Sequence, residues 1–109
     1  MATRSLISIK NSDDTYDAVY CHFDGYPDGV GYKLAQHYTD EDKIRALVAS
    51  GSMSSLASEV NDCTFYISRG EPLKNYKKES RASLEKRAES AWCEYLYIFE
   101  NNNWTTKKI

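Results

Sequence analysis

The sequence predicts an α+β protein: an antiparallel or mixed sheet of four to five strands, with short helices packed mainly on one face. Three observations lead there. Two alternating segments near the N-terminus flank a polar turn, "SDDT"; two β-rich segments at the C-terminus flank "NNN"; and apolar residues between them recur at helical spacing. The chain has 109 residues, enough for one modest core, so residues 1–109 are read as a single compact domain.

"RSLISIKN" (4–11) alternates, with Ile7 and Ile9 opposite Leu6, Ser8 and Lys10, and reads as the first strand. "YDAVYCHFD" (16–24) is the second: Val19, Cys21 and Phe23 share one face, and Ala18, Tyr20, His22 and Asp24 share the other. A glycine-rich turn follows, and Val30, Leu34 and Tyr38 at i, i+4 and i+8 predict a short helix from near Gly29. Thr39 or Asp40 caps a second helix with a stripe of Ile44, Leu47 and Val48, stopped by Gly51. "SSLASEV" (54–60) reads as a third helical segment, "CTFYISRG" (63–70) as a third strand, and residues 72–78 as loop. Leu84, Ala88, Ala91 and Trp92 mark a helix with a small-residue stripe, "CEYLYIFE" (93–100) is a fourth strand, and "WTTKKI" (104–109) closes the sheet.

Placing Val19, Cys21 and Phe23 with Ile7, Ile9, Leu96 and Ile98 beneath the helices leaves Tyr20, His22, Tyr95, Tyr97 and Phe99 on the opposite face. A bare aromatic face would expose a large apolar patch, which predicts a homo-oligomer, most simply a two-fold dimer. Such a face also suits stacking on a nucleobase.

Fourteen basic and sixteen acidic residues leave a net charge of −2, which offers no global attraction to duplex nucleic acid and favours a short ligand. The local basic excess lies in "KNYKKESRASLEKR" (74–87), read as a solvated linker and helix face. Hydrophobic residues at 41% and charged residues at 28% are ordinary for a globular chain, and no apolar run has membrane-spanning length. Cys21, Cys63 and Cys93 are odd in number, with no C-x-x-C pair and no histidine at ligand spacing, so neither a disulfide framework nor a metal site is expected. That usage fits a reducing cytoplasm. No cofactor is expected.

The densest chemistry is "VYCHFDGYPDGVG" (19–31). His22 and Asp24, two apart on a strand, share a face and could form a carboxylate-oriented imidazole, the pair that a general base needs. The plainer reading makes them a strand-end cap and a turn former. Gly25, Gly29 and Gly31 match neither phosphate-loop pattern. Tyr20, Tyr26, Tyr95 and Tyr97 are the candidate stacking residues, and Arg4 and Arg69 the candidate anion partners, with His22 and Asp24 beside them.

"MATRSLISI", "VYCHFDGYPDGVG", "LAQHY", "LVASGSMSSL" and "CTFYISRGE" together resemble a family of small, mostly uncharacterised proteins encoded by bacteriophages and prophages. The likeness covers roughly the first two thirds of the chain and is most specific at "YCH-x-DGYP". It implies a phage protein working in the host bacterial cytoplasm, as a host-takeover or anti-defence factor. In that setting a non-enzymatic binder would sequester an immune signalling nucleotide or block a bacterial defence protein. The alternative is a small nucleotide-processing enzyme using His22 and Asp24.

Overall fold

The structure, a computed structural model, describes residues 2–109. In chain order it contains β1 (Ser5–Lys10), β2 (Tyr16–Cys21), a π-helical turn (Pro27–Gly31), α1 (Tyr32–His37), α2 (Glu41–Ala49), β3 (Met53–Ser55), β4 (Thr64–Phe65), β5 (Tyr76–Glu79), α3 (Arg81–Ser90), β6 (Tyr95–Glu100) and β7 (Asn103–Lys108). Short 3-10 turns occupy Val60–Asp62 and Tyr66–Arg69. The α+β class is as predicted, but the sheet has seven strands where four to five were expected. No helix among the described residues is long and apolar enough to cross a membrane.

The sheet is mixed, in the order β4-β3-β2-β1-β6-β7, with β5 also pairing β2. β1 and β2 form the expected hairpin, running from Ser5 opposite Cys21 to Lys10 opposite Tyr16. β6 lies parallel to β1 on its other edge, and β7 folds back antiparallel through Asn101 and Asn102. Both asparagines hold positive φ, 53° and 61°, as a tight hairpin turn requires. The segment between β2 and its parallel neighbour β3 must cross over the sheet, and α1 and α2 make that crossing.

Helices cover both faces of the sheet, not mainly one. Val30, Leu34, Ile44, Leu47 and Val48 pack on Ile7, Ile9, Val19 and Cys21, while Leu84 and Ala88 of α3 pack on Leu6, Ala18, Leu96 and Ile98. The phase of β6 is therefore opposite to expectation. Tyr97 pairs with Ile7 and Phe99 with Ile9, which puts the β6 aromatics beneath α1 and α2, and Leu96 and Ile98 beneath α3. The aromatic face is covered, and the argument for a two-fold dimer, which rested on its being bare, goes with it.

Three local readings also change. The segment 54–60 is not the helix expected: Met53 pairs with Cys21, β3 runs on to Ser55, and only at Val60 does a short 3-10 turn begin. The expected strand at 63–70 shortens to Thr64–Phe65 because the chain coils into a 3-10 turn ended by Gly70 at φ 85°. The expected loop at 72–78 contains β5, and Lys78 takes φ 53° while donating its N–H to the Asp17 carboxylate at 2.9 Å.

Candidate functional site

β2 has two partners on one edge. β5 pairs along Tyr16 and Ala18, and β3 pairs only at Cys21, so the edge is left unpaired beside Tyr20. A cleft of about 490 Å³ opens there, within the usual range of small-molecule sites, roughly 300–1,000 Å³. Its walls are Tyr20, Tyr66, Tyr76, the segment 71–74, Ser52 and, from the end of α3, Ala91.

Ser52 builds one wall. Its N–H and hydroxyl both donate to the Lys74 carbonyl, at 2.9 and 3.0 Å, and its carbonyl accepts from the Tyr66 N–H at 3.1 Å. Gly51 makes room for this: at φ 92° it lies so near Leu73 that an added Cβ would stand 3.1 Å from that side chain. A substituted residue there would push the 71–74 segment away and open the wall.

Cations gather around the tyrosines. The Arg69 guanidinium lies 5.5 Å from the Tyr66 ring centroid, Arg87 lies 5.1 Å from that of Tyr76, and Arg4 lies beside the Tyr20 hydroxyl. Burial pushes the Tyr20 phenol up to about 12, with Arg4 pulling the other way, so it stays protonated and a hydrogen-bond donor at neutral pH. Arg87 is tied to Glu79 at 3.0 Å. Among the described residues Arg4, Arg69 and Lys74 form no ion pair, whereas Lys10, Lys43, Arg45, Arg81, Arg87 and Lys107 all do. One acid, Glu71, lies on the cleft wall.

The residues proposed from sequence divide into three groups. Tyr20 lines the cleft, while Arg4 beside the Tyr20 hydroxyl, His22 bonded to that hydroxyl through its Nδ1 at 2.7 Å, and Arg69 over the Tyr66 ring each touch one of its tyrosines without forming its wall. Asp24 and Tyr26 sit on the exposed turn, where the Tyr26 hydroxyl donates to the Asp24 carboxylate at 3.2 Å. His22 and Asp24 are not hydrogen-bonded to each other: Asp24 has left the strand, with φ 59°, and the imidazole is held by a phenol instead. Tyr95 and Tyr97 lie on the other side of the sheet. Tyr97 is buried, its hydroxyl donating to the Gly25 carbonyl at 2.6 Å.

Sequence reasoning missed Tyr66, Tyr76 and Lys74. Their signal is tyrosine close to a basic residue, in "YISR" and "KNYKK", which reads as a strand and a solvated linker until the fold brings the two together.

A second concavity, of about 520 Å³, lies between the β1–β2 and β6–β7 turns. Its charges are already engaged, Lys10 with Asp14 at 3.3 Å and Arg45 with Glu41 at 3.1 Å. The cleft beside Tyr20 is the better site because three of the cations around it, Arg4, Arg69 and Lys74, form no ion pair among the described residues, Arg87 alone being tied to a carboxylate. Compared with protein-family models, curated proteins and solved structures, the chain matches none.

Proposed function

We propose that this chain is a phage-encoded, non-enzymatic binding protein that sequesters a small signalling nucleotide in the cleft beside Tyr20. The observation that carries this reading is the joining of three tyrosines with cations that have no carboxylate partner. Aromatic rings stack on a base whatever its identity, and the cations answer its phosphates. A net charge of −2 fits a short anionic ligand better than a long polyanion. The processing alternative loses its orienting carboxylate, since His22 is bonded to Tyr20 and not to Asp24.

Calorimetric titration with AMP, GMP and cyclic di-AMP tests the proposal, followed by chromatography of the recovered nucleotide. Sequestration predicts saturable binding, unchanged nucleotide, and a loss of about 1–3 kcal/mol in Tyr66→Ala. No binding of any of the three at millimolar concentration would contradict it, and turnover abolished by His22→Ala would replace it with the enzyme reading.

A further inference from the structure

Helix α3 ends in a paired backbone cap. The Cys93 N–H donates to the Ala88 carbonyl at 2.9 Å and the Trp92 N–H to the Glu89 carbonyl at 3.0 Å, while Cys93 and Ala88 are buried in one core cluster. This is a Schellman motif, whose left-handed residue is usually glycine or asparagine because a Cβ is disfavoured there. In this chain the position holds Trp92, at φ 62°. Elsewhere glycine takes the corresponding place: Gly51 follows α2 at φ 92°, and Gly70 follows the Tyr66–Arg69 turn at φ 85°.

Trp92 is also 77% exposed, the most of any large hydrophobic residue described. Two unfavourable features therefore coincide, a bulky side chain on left-handed backbone and an indole in water. Neither helps α3 to end, since glycine would end it better. The residue before it, Ala91, lines the cleft, and the one after it, Cys93, is buried. The cap thus holds an exposed aromatic one residue beyond Ala91, outside the cleft wall itself but within reach of a ligand that extends past it, and backbone strain of this kind clusters at ligand clamps.

We propose that Trp92 is a ligand-contact residue of the cleft, its indole stacking on the base of a bound nucleotide from the α3 side. This rests on the cleft being a nucleotide site. It makes a prediction that a structural role would not: Trp92→Gly trades function for stability.

The test uses the full chain, with cyclic di-AMP as probe, and measures thermal unfolding and affinity on Trp92→Gly, Tyr66→Ala and Trp104→Phe. The chain has two tryptophans, so emission from Trp104→Phe reports Trp92 alone. Trp92→Gly should melt roughly 2–6 °C higher while binding roughly 5- to 100-fold more weakly. In Trp104→Phe the remaining emission should change saturably with cyclic di-AMP. Wild-type affinity in Trp92→Gly beside weakened Tyr66→Ala would overturn the role of Trp92 and leave the cleft intact. A lower melting temperature for Trp92→Gly would show the indole to be structural and overturn it too. Absence of wild-type binding would overturn both the cleft reading and this one.

Discussion

The Tyr97 hydroxyl donates a 2.6 Å hydrogen bond to the Gly25 carbonyl, so a strand at the C-terminal end of the chain holds the turn that follows β2. The same ring lies against Gly31, where an added Cβ would come within 3.1 Å of it. Removing the hydroxyl leaves a buried carbonyl without its donor, a loss of about 1–3 kcal/mol. Tyr97→Phe should therefore lower the urea-unfolding free energy by that amount and leave nucleotide affinity unchanged, because Tyr97 lies across the sheet from the cleft. A variant as stable as wild type would mean that the turn does not need the bond.

Gly29 and Gly70 make a contrasting pair. A methyl at Gly29 would run into the Asp24 carbonyl, which already accepts the Val30 N–H at 2.7 Å, whereas at Gly70 nothing lies within 4 Å. Gly29→Ala should cost well over 2 kcal/mol, and Gly70→Ala only the left-handed penalty of about 1 kcal/mol. Equal losses in parallel urea titrations would contradict this packing.

Ser5 is fully buried, and its hydroxyl is the one buried side-chain polar atom without a partner among the described residues. Ser5→Ala removes a desolvated donor at little cost in volume, and should raise stability by about 1 kcal/mol. A fall of similar size would reveal a partner for the hydroxyl.

Burial pushes the thiols of Cys21 and Cys93 up to about 12, from an ordinary value of 9.0. The folded state thus holds protons that the unfolded chain releases above pH 9. Stability is whole below pH 9 and is lost as pH rises toward 12, each thiol contributing at most about 1.4 kcal/mol per pH unit. Replacing Cys21 and Cys93 with Val should flatten that alkaline decline. At pH 8 a thiol-reactive aromatic disulfide should modify the half-buried Cys63 first and the other two only after unfolding. Rapid reaction of all three in the folded protein would contradict their burial.

What was legible in the sequence was what a single period specifies. The hairpin at 5–21, the stripe Ile44, Leu47 and Val48, and the β6–β7 turn at "NNN" all stand where they were read. The face of β6 was not legible, because "YLYIFE" is apolar in both phases and both of its faces are covered. That one-residue ambiguity moved Tyr95, Tyr97 and Phe99 across the sheet and removed the bare aromatic platform. Trp92 fitted the helical stripe in sequence, yet α3 ends at Ser90, two residues sooner than that spacing suggests. The cleft as a cavity could not be read from sequence, although Tyr20 of its wall was proposed as a site residue. It depends on β5 and β3 sharing one edge of β2, a long-range pairing with no local signature.

The most direct test of the cleft is amide chemical-shift mapping of the ¹⁵N-labelled chain titrated with cyclic di-AMP. The account predicts saturable shifts centred on Tyr20, Ser52, Tyr66, Lys74, Tyr76 and Ala91, with Tyr95 and the 24–31 turn little changed. Shifts centred on that turn, or none at millimolar nucleotide, would contradict it.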